Sequence, residues 1–134
     1  KNKICIVVAN YYPEITKNLI FGSKKILINK NFKNYKIFKV PGVFEIPIII
    51  SKNIKKFDAF IALGCVIKGQ TPHFEFISQS TINALTLLSI THKKPIGNGI
   101  ITCLNRKQAL DRSSNNKNNK GFESAKAVLS ILKI

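Results

Sequence analysis

Tryptophan and methionine are absent from this 134-residue chain, and of its 22 basic residues only Arg106 and Arg112 are arginine. Two arginines are too few for the bidentate and stacking contacts by which nucleic-acid readers recognise bases, and no RNA-binding aromatic signature accompanies them. Acidic residues are scarce too: six against those 22 give a formal charge of +16. The lysines are strewn over every segment among many Asn and Ile, so the charge is read as biased composition. No specific nucleic-acid partner is expected, although some non-specific attraction to polyanions follows from the charge. Cys5, Cys65 and Cys103 are odd in number and far apart, which excludes a disulfide framework and a paired-cysteine zinc site. Two of them sit inside apolar runs, where free cysteine behaves as a small buried hydrophobe, and a reducing, cytoplasmic setting is expected.

Long hydrophobic runs are missing as well. None reaches the roughly 20 residues that a membrane helix needs, so no membrane span is expected. Basic residues before "ICIVVAN" faintly resemble a signal peptide, but the run is short and β-branched and no small-residue cleavage site follows. It reads as a first strand. The chain starts at Lys1 rather than Met, which leaves room for preceding residues. With no linker and no internal repeat, residues 1–134 are read as one domain, long enough to bury about two thirds of the surface that its unfolded form exposes.

What is present alternates. Short β-branched or alternating runs at Ile4–Asn10, Tyr35–Val40, Phe57–Ile67 and Ile96–Cys103 read as strands. Between them, Ile15–Asn29 and the stripe Phe74, Ile77, Ile82, Leu85 and Leu88 have helical spacing. "VFEIPIIISKNIKK" has strand-like isoleucines, but Pro47 favours an early helical position over a central strand. Asn105 and Gln108 form a capping-box pattern opening a helix through Arg112. "SSNNKNNKG" is a polar loop, and a last amphipathic helix covers Phe122–Ile134. Such alternation predicts right-handed crossovers and a three-layer α/β/α sandwich around a four-stranded parallel sheet, with ligands bound beyond the strands' carboxyl ends.

Three of those ends carry chemistry. Tyr11 and Tyr12 follow the first strand and offer rings that can stack on a flat ligand. Phe44 and Glu45 follow the second. After the third comes "LGCVIKGQTPHFEF", in which Thr71 suits an N-cap, Pro72 the first helical position and His73 the first turn. A helix N-terminus there offers N–H groups to an anion and disfavours a protonated imidazole. His73 as an ordinary surface residue remains an equal alternative on this segment alone. His92, near a helix end among lysines, is read as solvent-exposed.

Together these segments resemble the lumazine synthases, 6,7-dimethyl-8-ribityllumazine synthases of riboflavin biosynthesis, over nearly the whole chain. "VVANYYPEIT" is similar to their first strand and loop, "VPGVFEIP" to VPGAFEIP, and "ALGCVIKGQTPHFEF" to LGxVIRGxTxHxxY. "GIITCLNRKQALDRS" and "NKGFESA" resemble the last strand and closing helices. The resemblance implies a flavodoxin-like fold and a transferase. Its substrates would be 5-amino-6-(D-ribitylamino)uracil and 3,4-dihydroxy-2-butanone 4-phosphate, condensed to the lumazine, phosphate and water without cofactor or metal. Carried over residue by residue, it gives Tyr11 a stacking role on the pyrimidine and assigns Val43, Phe44, Glu45, Val66 and Ile67 to the pyrimidine and ribityl chain. Gly69, Gln70, Thr71 and Arg112 would bind phosphate, His73 would transfer protons, and Lys120 and Glu123 would line the site. Asn98 stands where many members have a stacking phenylalanine. The loop lacks the capsid-type GTKAGNKG form and no long N-terminal extension is present, so a homopentamer is expected, with pairing into decamers as the larger alternative. Sites between subunits are implied, with riboflavin synthase as a pathway partner. A non-catalytic flavin- or lumazine-binding protein on the same scaffold is the alternative.

Overall fold

A computed structural model describes residues 2–115 and 118–134. Among these residues four strands form one sheet: β1 (Ile4–Ala9), β2 (Tyr35–Val40), β3 (Ala59–Ile67) and β4 (Ile96–Cys103). Their order is β2-β1-β3-β4 and every pairing is parallel, with Ile4 opposite both Tyr35 and Ala59, and Phe60 opposite Ile96. Among the described residues the helices are α1 (Pro13–Asn29), α2 (Ile46–Lys52), α3 (His73–His92), α4 (Arg106–Ser113) and α5 (Lys120–Leu132), with a 3₁₀ turn at Val43–Glu45. The expected sandwich is therefore present. Asn116 and Lys117, within the expected polar loop, lie outside the described residues.

The central strands explain the apolar runs. All six residues of β1 are buried, as are the first seven of β3, because helices cover both faces of the sheet. One face packs Ile6, Val8, Ile61 and Leu63 against Ile15, Leu19 and Leu27 of α1 and Ala125 and Val128 of α5. The other packs Val7, Phe60 and Ala62 against Ile46 and Ile50 of α2 and Leu85 of α3. Among the prolines, Pro13 and Pro47 occupy first-turn positions where a missing N–H costs nothing.

Helices α1 and α5 approach closely because Gly121 has no side chain: a Cβ there would overlap the backbone of Leu19. Ser23 Oγ donates to the Gly121 carbonyl at 2.8 Å across that contact. Asn119 caps α5 by accepting from Phe122 N at 3.0 Å, and its amide also donates to the Asn18 and Ser113 carbonyls. In α4 the expected cap forms, with Asn105 Oδ1 accepting from Gln108 N at 2.9 Å. Gln108 Oε1 accepts from Leu104 N, one residue before the cap, so the reciprocal half of the box is displaced.

Candidate active site

Strand order reverses between β1 and β3, because the chain leaves β1 for one side of the sheet and returns on the other. Such a switch point opens a crevice at the carboxyl edge. A cleft of about 680 Å³ lies there, lined by Tyr11 and Tyr12 after β1, Pro41–Glu45 after β2, Cys65, Val66 and Ile67 of β3, then Gly69, Thr71, His73, Phe74 and Ile77. Gln70 belongs to the same loop but does not line the cleft. The three strand ends singled out in the sequence thus converge.

Local chemistry positions each group. Gly64 makes room for Val43, whose Cγ1 would lie 2.7 Å from any Cβ on that glycine, so the 3₁₀ turn seats directly on β3. The turn then leaves Phe44 61% exposed, a large apolar ring facing open space at the cleft. Tyr11 is 71% exposed and meets Tyr12 edge to face, with ring centroids 4.9 Å apart. Burial pushes the Tyr12 phenol above its ordinary pKa, aided by Cys65 and Tyr11 nearby. Glu14 and Arg106 pair at 3.2 Å and join the start of α1 to that of α4.

The loop after β3 differs slightly from expectation. Helix α3 begins at His73 rather than at Pro72, which occupies the cap position with ψ near 7°. Thr71 Oγ1 accepts from His73 N at 3.4 Å, a long bond that caps the very start of the helix. The imidazole therefore stands at the first helical residue, exposed beside the opening turn of the helix. Lys68 and Glu75 flank the loop at 3.8 Å from each other. A Cβ on Gly69 would meet nothing within 4 Å, so no packing within the chain requires glycine there.

Cys65, read from the sequence only as core, is in the cleft wall and was missed as a lining residue. Burial, and Cys103 beside it, push its thiol up to about 12. At neutral pH it is protonated and is not a nucleophile. Phe74 and Ile77 were visible only as members of a helical stripe. Among the described residues no group of three or more His, Cys, Asp or Glu side chains could hold a metal ion.

Asn98, Arg112 and Lys120 fall elsewhere. They line a second cleft of about 630 Å³ along β4, the edge strand, with Gln108, Asp111, Asn118 and Glu123. Gln108, Asp111 and Arg112 share a face of α4 by their spacing of three and four residues, the signal that could have added the first two. Asn98 Oδ1 accepts from Ile100 N at 3.1 Å. Arg112 contacts Cys103 Sγ at 3.9 Å, and Lys120 pairs with Glu123 at 3.7 Å. Among the described residues the two clefts share no lining residue.

The family model for 6,7-dimethyl-8-ribityllumazine synthase matches residues 1–134. The chain belongs to this family of riboflavin biosynthesis. Three relatives carry the same name. That of Buchnera aphidicola subsp. Baizongia pistaciae is 44% identical over 140 residues, covering 100% of this chain and 87% of its own. That of Campylobacter jejuni subsp. jejuni is 36% identical over 136 residues, covering 98% and 88%. That of Cutibacterium acnes is 33% identical over 132 residues, covering 97% and 80%. Among the described residues no helix is long and apolar enough to cross a membrane.

Proposed function

We propose that this chain is a lumazine synthase, condensing 5-amino-6-(D-ribitylamino)uracil with 3,4-dihydroxy-2-butanone 4-phosphate to 6,7-dimethyl-8-ribityllumazine, phosphate and water. The observation that carries this reading is the convergence of Tyr11, Phe44, Glu45, Gly69, Thr71 and His73 in one switch-point cleft of a chain belonging to that family. The exposed rings of Tyr11 and Phe44 suit a flat pyrimidine, and Glu45 accepts from the ribityl hydroxyls. Val43, Val66 and Ile67 form the apolar wall beneath the ring.

The 5-amino group attacks the ketone carbon of the butanone phosphate, and loss of water gives an imine. A proton leaves the adjacent carbon as phosphate departs, the resulting enol tautomerises to a ketone, and the ribitylamino nitrogen attacks that carbonyl carbon, closing the second ring with loss of a second water. His73 carries protons in these steps. It stands where the N–H groups of α3, Gly69, Gln70 and Thr71 receive the phosphate. The open space at Gly69 supports close approach of that anion. Holding two substrates in register supplies much of the rate, with no cofactor or metal needed.

The partition of residues between two clefts supports an assembly in which Asn98, Arg112 and Lys120 of one chain complete the first cleft of its neighbour. A homopentamer is the form proposed, working in the cytoplasm, with riboflavin synthase next in the pathway. Helix α3 favours such an assembly. Only Thr81 and Leu85 of its 20 residues are buried, and among the described residues the buried hydroxyls of Ser78 and Thr81 find no hydrogen-bond partner.

The deciding experiment mixes purified protein with both substrates and follows lumazine formation against a protein-free control. Acceleration that disappears in Arg112→Ala is expected. Ligand binding without acceleration would instead identify a flavin- or lumazine-binding protein.

A further inference from the structure

The opposite edge of the sheet is strongly basic, and the proposed activity makes no use of it. Because the strands are parallel, their N-termini all lie there, and α1, α2 and α3 each end at that edge before feeding the next strand. Six exposed lysines occupy these helix ends and connections: Lys30 and Lys33, Lys52, Lys55 and Lys56, and Lys93. Among the described residues none of the six is in ion-pair range of a carboxylate. Asp58, between α2 and β3, is the one acidic side chain in those connections, and it is engaged by Lys3 N at 2.7 Å. Lys94 turns inward and donates to the Ile54 and Phe57 carbonyls. Helix ends do not cancel this charge. Each C-terminus carries about −0.5, so three offset only about −1.5.

Beside these lysines is an open cleft of about 460 Å³ between the end of α1 and the start of β2, lined by Ile28, Asn31, Phe32, Lys33 and Tyr35. We infer that this edge binds single-stranded RNA without sequence preference, its phosphates along the lysines and one base against Phe32 and Tyr35. Charge complementarity selects a polyanion. Ammonium groups spread over three connections suit a strand that bends between them, and lysine meets phosphate as a point charge without reading bases. Phe32 and Tyr35 are half-buried and pack against the core, and they also line the cleft beside the basic track, the setting in which aromatic rings take the bases of a single strand. The Asn31 amide offers a partner to a ribose 2′-hydroxyl. A bilayer fits less well, because these connections carry no amphipathic helix to enter it.

The test titrates the assembled, full-length protein into a labelled oligouridylate over a range of salt concentrations. Replacing Lys52, Lys55 and Lys56 together by Gln is expected to weaken binding at low salt about tenfold and to flatten the logarithmic salt slope by about 2, at roughly 0.7 per phosphate contact. Lys17→Gln, Lys25→Gln and Lys126→Gln, an equal charge change on exposed sites of α1 and α5, are expected to cost less than about threefold, because their lysines lie outside the track. Phe32→Ala should weaken binding about fivefold with an unchanged slope. Far-UV circular dichroism checks folding, and the lysine variants carry the test if Phe32→Ala misfolds. Absence of binding at low salt would overturn the proposal, as would equal losses in the two lysine triples. Equal binding of an oligodeoxythymidylate, or tighter binding to phosphatidylserine vesicles, would overturn it too.

Discussion

Helices α1 and α3 are both long and both carry apolar stripes, yet the chain treats them differently. In 17 residues α1 buries Ile15, Thr16, Leu19, Gly22, Ser23, Ile26 and Leu27. In 20 residues α3 buries Thr81 and Leu85 alone, and Phe76, Leu87 and Ile90 each stay more than two thirds exposed. The difference lies in what each finds opposite. Sheet, α4 and α5 close around α1, whereas α3 runs beside β4, where the sheet ends. Apolar periodicity therefore has two meanings here: α1 builds the fold, and α3 leaves apolar side chains exposed, the surface that the proposed assembly would cover.

This contrast can be broken from either side. The largest effect is expected at the α1–α5 contact. Gly121→Ala would force the helices apart at the Leu19 backbone, a loss of about 3 kcal/mol or more, and thermal unfolding should show a midpoint at least about 10 °C lower. Leu87→Asp with Ile90→Asp on α3 should leave circular dichroism and thermal unfolding of the protomer nearly unchanged. Sedimentation should then show smaller species, with lumazine formation falling at least about tenfold because each site would lack its neighbour's residues. Intact assembly in that variant would sink the reading of α3 as an interface.

Within the cleft, His73→Ala should lower kcat by about 100-fold without altering assembly, as removal of a proton-transfer group does. Steady-state kinetics at full oligomer concentration decides this, and wild-type kinetics would remove the assignment.

The smallest effect concerns the core side of β1. Burial pushes the Cys5 thiol up to about 12 from 9.0, partly opposed by Lys36. Its stabilising effect is complete below pH 9, where both states hold the proton. It is lost as pH rises towards 12, because the unfolded chain ionises first. At pH 10 that amounts to about 1 kcal/mol. Comparing midpoints at pH 8 and pH 10 in wild type and Cys5→Val should show a smaller alkaline drop in the variant.

Much of the fold was legible because its signals are local. The short β-branched runs at Ile4 and Tyr35 became strands within a residue of expectation, and Pro47 marked a helix start despite the surrounding isoleucines. The start of α3 was displaced by one residue, since Thr71 and Pro72 both favour a helix opening and only the backbone chooses between them. In the first cleft, motif residues close in sequence stay close in space. Cys65 was missed there because an apolar run gives no sign of which wall it forms, and Asp111 was missed in the second cleft although its helical spacing from Gln108, on the face shared with Arg112, pointed to it.

By itself the sequence determined the alternation of elements and the identity of the chemical groups at three strand ends, since propensity, capping and hydrophobic period act over a few residues. Only the tertiary structure decided that Asn98, Arg112 and Lys120 stand in a different cleft from His73. It also decided that six of the scattered lysines gather at one edge. A parallel sheet sends every helix the same way, so the ends of α1, α2 and α3, far apart in sequence, arrive side by side.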